Sequence, residues 1–247
     1  MGKFETPSVN WKLPIETMMG LTREAAASIL TCQLYPVGQV GSGLPRLPIR
    51  KRNLDNVLPI LFVHGVFHNR STFAWLIQRL SLEGIRPMKD LNLLTTLFSI
   101  EDLAEKIRTE AKQLLKLYGT QKIHIVGHSL GGMVGRYFVQ ELGGDEMVAT
   151  LTTLATPHQG TLLSRFSLLP NLRQLDPESR TIRKLQGSPL PRQTQIISIS
   201  GNLDFVMVPK NTYFLPGARN IRLKGVGHAG LLYSRRVHQI LMSHWVG

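Results

Sequence analysis

Ser129 stands in Val126-Gly127-His128-Ser129-Leu130-Gly131-Gly132, directly after the apolar run Ile123-His124-Ile125-Val126. A serine between glycines at a strand-to-helix junction is a candidate nucleophile. So tight a turn strains the backbone and pushes the hydroxyl clear of the sheet. Gly127 and Gly131 suit the turn because a Cβ at either would collide across it. The hydroxyl is a poor nucleophile until a base takes its proton, so a histidine, oriented by a carboxylate, must approach it.

In the chain order that accompanies this turn, the acid and then the histidine follow the serine. His158, His228, His238 and His244 lie downstream. His228 sits in the glycine-flanked segment Lys224-Gly225-Val226-Gly227-His228-Ala229-Gly230, between the last expected strand and the last helix, and is the expected base. His238 and His244 fall within that helix. Six carboxylates separate Ser129 from His228: Glu141, Asp145, Glu146, Asp176, Glu178 and Asp204. The first three belong to the amino-end side of the sheet, and Asp176 and Glu178 to an insertion. Asp204 alone follows a strand at its carboxyl end, which makes it the expected acid. A tetrahedral oxyanion also needs aimed backbone donors. The N–H of Leu130, at a helix start, is one expected donor, and the N–H of Val66, in Val63-His64-Gly65-Val66, is the other. His64 and Gly65 are read as shaping that loop, since chain order disfavours His64 as the base.

These residues need elements to hold them. Leu58 to Val63 reads as a buried strand, followed by a helix near Ser71 to Leu82 and a strand over Leu91 to Phe98. Ser99 with Asp102 signals a capped helix, whose apolar residues recur at helical spacing from Ile100 to Tyr118 before Gly119 stops it. Strands are expected at Ile123 to Val126, Met147 to Leu154, Gln195 to Ser200 and Asn220 to Leu223. A helix through about Leu142 follows the serine, and another from about Leu231 closes the chain. Alternating strands and helices imply an α/β class, a mostly parallel doubly wound sheet with ligands at the strands' carboxyl ends. Residues 161–191 break the alternation and are expected to form a short cap over the serine. Residues 1–52 are expected as an N-terminal helical segment (Pro14 to Tyr35, interrupted at Gly20) with a Gly/Pro-rich link from Pro36 to Pro48. The domain that carries Ser129 is then 53–247.

Composition narrows the setting. The chain has 247 residues, 43% of them hydrophobic, enough to bury a sizeable core. Its lone Cys32 excludes an intrachain disulfide. No run of roughly 20 continuous apolar residues is present to span a membrane. The first residues lack a basic region, an apolar core and a cleavage site in succession, so a cytoplasmic setting is expected. The net charge is +13, with clusters at Arg46, Arg50, Lys51 and Arg52 and at Arg165, Arg173, Arg180, Arg183 and Lys184. A solvated basic surface accounts for this, and peripheral contact with an anionic membrane is the sharper reading. Nucleic acid is not an expected partner, because no binding motif or interleaved aromatics accompany the basic residues. No His/Asp cluster stands at metal-ligand spacing, and no motif indicates the oligomeric state.

The segments Leu61-Phe62-Val63-His64-Gly65, Val126 to Gly132, Thr153-Leu154-Ala155-Thr156-Pro157-His158-Gln159-Gly160-Thr161, Ser200 to Asp204 through Val208-Pro209, and Gly225 to His228 together resemble the α/β-hydrolase superfamily. Within it the likeness is to bacterial triacylglycerol lipase and esterase-like proteins. The resemblance covers about Leu58 to the C-terminus, and Arg136-Tyr137-Phe138 matches the helix after the nucleophile. It implies an α/β-hydrolase fold with a Ser129–His228–Asp204 triad, oxyanion donors at Val66 and Leu130, and no cofactor. It also implies cleavage of small-molecule or lipid esters through an acyl-enzyme. Thioester hydrolysis or acyl transfer on the same triad is the alternative, and a non-catalytic membrane-surface binder is a more distant one. In similar proteins the segment before the core is more hydrophobic and attaches to membranes. Here Thr22, Arg23 and Glu24 interrupt it. The insertion is short beside large-lid lipases, so strict interfacial activation is not expected.

Overall fold

The computed structural model describes residues 15–39 and 58–246. Six strands form one all-parallel sheet in the order β2-β1-β3-β4-β5-β6. They are β1 (Ile60–Val63), β2 (Met88–Asp90), β3 (Ile123–His128), β4 (Val148–Leu154), β5 (Gln195–Gly201) and β6 (Arg219–Leu223). Alternate residues along each strand serve opposite faces. Leu61, Val63, Ile123 and Ile125 pack with the helices α4 (Ile100–Tyr118) and α5 (Leu130–Glu141). Ile60, Phe62, Val126, Ile197 and Ile199 pack with α3 (Ala74–Leu82) and α8 (Arg235–Trp245). Both faces are covered, which is why β1 and most of β3, β4 and β5 are apolar or small.

The strand order reverses at β1. The chain runs outward from β1 to β2 and then returns to β3 on the other side. The crevice between the carboxyl ends of β1 and β3 is therefore the topological switch point, where open parallel sheets accept ligands. The loop carrying Val66 leaves β1 there, and the turn carrying Ser129 leaves β3.

Local signals explain most boundaries. At α4, the Ser99 hydroxyl accepts from the Asp102 N–H and the Asp102 carboxylate accepts from the Ser99 N–H, completing a capping box, and Gly119 ends the helix at φ 63°. The expected helix after β1 opens as a tight 3₁₀ turn over Arg70–Phe73, capped by the Asn69 side chain, before α3 proper. The strand expected over Leu91 to Phe98 stands instead at Met88–Asp90. Leu91 and Leu93 are buried as core residues, but the N–H of Leu93 is taken by the His64 imidazole, and the backbone turns away.

The N-terminal segment forms α1 (Ile15–Gln33) and α2 (Tyr35–Gln39). Gly20 does not interrupt α1. It is buried, and a Cβ there would lie 2.3 Å from Leu203 Cδ1, so its role is close approach to the core. Most of the Gly/Pro-rich link, and the basic cluster at 46–52, lie outside the described residues. Residues 161–191 hold a 3₁₀ turn (Leu162–Phe166), α6 (Pro170–Arg173) and α7 (Arg180–Gly187). Gln174 and Thr181 bond to the first turn of α4, and Arg136 and Gln140 of α5 bond to the carbonyl of Leu185. Among the described residues, none of this segment's hydrogen bonds reaches Ser129. It is anchored on α4, on α5 and on the loop after β5, where the Leu162 N–H donates to the Val208 carbonyl at 2.9 Å.

Candidate active site

Ser129 occupies φ 53°, ψ −121°, a region that a residue with a side chain rarely adopts. Neighbours over-determine this strain, as a functional site requires. The Ser129 N–H donates to the Leu154 carbonyl at 2.8 Å, and the Ser129 carbonyl accepts from the Thr156 hydroxyl at 3.0 Å. The flanking glycines are required on steric grounds. A Cβ on Gly127 would lie 2.5 Å from Gly132 Cα, and one on Gly131 would lie 2.2 Å from the Val63 carbonyl oxygen. Leu130 follows as the first residue of α5 and is fully buried.

Asp204 and His228 meet across the ends of β5 and β6. Asp204 Oδ2 lies 2.8 Å from His228 Nδ1. Its other oxygen accepts from the N–H groups of Val206 at 2.9 Å and Met207 at 3.2 Å. The carboxylate is 3% exposed, so its direction is held by three bonds in a nearly dry setting. A carboxylate on Nδ1 fixes the tautomer, with the proton on Nδ1 and Nε2 as the acceptor nitrogen. The His228 carbonyl accepts from His128 Nε2 at 3.2 Å, which ties the histidine loop to the residue preceding Ser129. Three of the other candidate carboxylates have clear partners elsewhere. Asp145 accepts from the N–H groups of Arg192, Gln193 and Thr194 at the entrance to β5, Asp176 pairs with Arg165, and Glu141 pairs with Lys184.

The loop after β1 brings Gly65 against the elbow: a Cβ there would lie 3.1 Å from Ser129 Cβ. Val66 is half-buried in this loop, and Phe67 beyond it has φ 56°. His64 is fully buried. Its Nδ1–H donates to the Gly65 carbonyl at 2.8 Å and its Nε2 accepts from the Leu93 N–H at 2.9 Å. Burial lowers its pKa to about 4. Both nitrogens are thus used in holding the loop in the neutral form.

Three further residues shape the site. His128 is buried between His68, stacked at 5.9 Å, and the edge of His228 at 4.9 Å. Burial and then the neighbouring His228 charge hold its pKa well below the ordinary value. His158, also fully buried, sits 2.9 Å from the Thr153 hydroxyl, and its carbonyl accepts from the buried Arg136 guanidinium. The third is Glu24. Its carboxylate accepts from the N–H groups of Ala229 at 2.7 Å and Gly230 at 2.8 Å, immediately after His228. The sequence signal for it is the stripe Gly20, Glu24, Ala27, Thr31 on one face of α1, with three small residues around one charge.

Comparison with known proteins agrees with this geometry at the level of fold. The model of the PGAP1-like alpha/beta domain matches residues 93–222. A triacylglycerol lipase of Pseudarthrobacter phenanthrenivorans is 36% identical over 62 residues, which are 25% of this chain and 19% of that protein. A triacylglycerol lipase of Burkholderia plantarii is likewise 36% identical over 62 residues, 17% of its length. The chain thus spans about a fifth of the curated relatives it matches. The mature form of a Bacillus licheniformis lipase superposes with a TM-score of 0.67 at 15% identity, covering 82% of this chain and 96% of that one. The six-stranded parallel sheet with helices on both faces is an α/β-hydrolase fold.

Proposed function

Since this chain belongs to the family of the PGAP1-like alpha/beta domain, whose model matches more than half of its length, we propose that it is a serine hydrolase cleaving carboxylic esters through an acyl-enzyme. The observation that carries this reading is the Asp204–His228 pair at 2.8 Å, held on a loop tied to the strained turn of Ser129. His228 Nε2 takes the proton of Ser129 Oγ as that oxygen attacks the ester carbonyl. The tetrahedral oxyanion is stabilised by the N–H groups of Val66 and Leu130. Collapse expels the alcohol, which leaves with the proton carried by His228. Water, deprotonated by the same imidazole, then releases the acid and restores the serine. Asp204 keeps the imidazole oriented and stabilises its charged form.

The substrate class within this reading is a lipid or other acyl ester. Supporting it, exposed apolar side chains stand on the segments that follow β1, β4 and β5: Phe67, Leu163, Phe166, Leu168, Phe205 and Val206. A rim of this kind, on a chain of net charge +13, suits approach to an anionic lipid surface. No helix among the described residues is long and apolar enough to cross a membrane, so the contact proposed is peripheral. The same reading takes residues 53–247 as the hydrolase domain in a cytoplasmic setting, with residues 1–52 as its N-terminal segment.

A p-nitrophenyl ester series from acetate to palmitate tests both parts. Hydrolysis should fall by roughly a thousandfold or more in Ser129→Ala. Rates should rise beyond acetate, and sedimentation with anionic vesicles should exceed that with neutral ones. Full turnover in Ser129→Ala would remove the nucleophile. Activity confined to acetate, without vesicle binding, would remove the lipid assignment.

A further inference from the structure

Glu24 does more than anchor a surface helix. Its two carboxylate oxygens accept separately from the N–H groups of Ala229 and Gly230, the donors that open the 3₁₀ turn Gly230–Tyr233. Such donors have no partner within the turn and need one from outside. On the other side of His228, a Cβ at Gly227 would lie 2.4 Å from Glu24 Cδ, so the chain wraps the carboxylate before and after the imidazole. His228 is the one residue in 227–230 that directs its side chain to Asp204. The rest of α1 has contacts of its own: the Thr31 hydroxyl lies 2.9 Å from the hydroxyl of Tyr233 at the far end of the same turn, and Gly20 packs on Leu203. The same segment reaches the loop after β1, where Asn69 Nδ2 donates to the Tyr35 carbonyl at 2.7 Å.

From this geometry we infer that Glu24 is a positioning residue for the reaction: its carboxylate holds the 227–230 loop so that His228 stands between Asp204 and Ser129. The inference rests on the reading of His228 as the base. Charge-assisted bonds to two successive N–H groups are directional as well as strong, so they restrain the loop's rotation about its ends. A misplacement of about 1 Å at a catalytic group costs on the order of a hundredfold in rate. The carboxylate bonds the backbone of the loop and neither Ser129 nor Asp204, so its loss slows the proton transfers that His228 performs and leaves substrate binding alone. The N-terminal segment is thereby a working part of the active site, although it precedes the hydrolase core in sequence.

The test separates positioning from folding by measuring rate per active site. A fluorophosphonate probe titrates the sites able to react, and its second-order rate constant reports how well Ser129 is activated. In Glu24→Gln, which keeps shape but offers one acceptor oxygen, we expect full labelling stoichiometry, a rate constant lowered about tenfold or more, and a matching fall in kcat with KM unchanged. Glu24→Asp, which retains the charge but withdraws it by a methylene, should show a smaller loss of the same kind and serves if the Gln variant does not fold. Thr31→Val, which cuts α1 from Tyr233 without touching the carboxylate, should lower thermal stability and leave the per-site rate constant at the wild-type value. A wild-type per-site rate in a folded Glu24 variant overturns the inference, as does an equal slowing in Thr31→Val. Absence of labelling in the folded wild type overturns the nucleophile assignment and this inference with it.

Discussion

At the scale of single residues, the proposed chemistry rests on three side chains, each held by named neighbours. Ser129 is strained and braced by Leu154 and Thr156. His228 is oriented by Asp204, and Asp204 by two backbone donors. Asp204→Asn discriminates orientation from folding. Its side-chain oxygen can still accept from Val206 and Met207, so the loop is kept and the melting temperature should stay within a few degrees. Its amide nitrogen, however, faces His228 Nδ1 and drives the imidazole to the wrong tautomer. Turnover should fall by about four orders of magnitude, as in the serine protease case. Near-wild-type turnover would remove Asp204 from the mechanism. Glu24 belongs to the same scale, one layer further out, because it acts on the imidazole only through the peptide that carries it.

At the scale of elements, the site is an assembly of strand ends, and short-range signals specify most of them. The capping box at Ser99 and the stop at Gly119 lie within the helix they define, and both ends of α4 agree with the sequence reading. Ser99→Ala should cost about 1 kcal/mol and a few degrees of melting temperature, with turnover unchanged, because the cap's bonds run between Ser99 and Asp102 and involve none of Ser129, Asp204 and His228. An unchanged melting temperature would mean that the cap contributes nothing. The serine elbow was legible for the same reason: the glycines, the strand before and the helix after are contiguous. Asp204 was reachable by elimination, since only one candidate carboxylate follows a strand end. Where partners are distant, the sequence is silent. Leu91 and Leu93 have the character of a strand, yet the Leu93 donor goes to His64, 29 residues away, and β2 forms earlier. The insertion's anchorage depends on distant groups of α4 and α5. Glu24 looked like an interruption of an apolar segment, because the donors it serves lie 205 and 206 residues away. No periodicity within α1 contains that information beyond the small-residue stripe.

For the whole molecule, the basic charge and the buried histidines set the conditions under which the site exists. Part of the positive charge is neutralised locally, through Arg165 with Asp176 and Lys184 with Glu141. Burial lowers the pKa of His64 and of His124 to about 4, and holds His128 and His158 well below the ordinary value. In each case the unfolded chain takes up the proton first, near 6.5, so stability is present at neutral pH and is lost as pH falls from about 6.5 towards 4. At roughly 1.4 kcal/mol per pH unit, His64 and His124 alone remove on the order of 3 kcal/mol each across that window. That is a large share of the 5–15 kcal/mol typical of a domain. Melting temperature should therefore drop steadily from pH 7 to pH 4.5, and a profile flat over that range would contradict the neutral, buried state of these rings. The central claim is that Ser129 is an activated nucleophile driven by His228, and covalent capture tests it most directly. The intact protein treated with a fluorophosphonate at neutral pH should gain one adduct, located by peptide mass spectrometry on Ser129 and lost in Ser129→Ala and His228→Ala. A folded wild-type protein that gains no adduct, or gains it on another residue, contradicts the account.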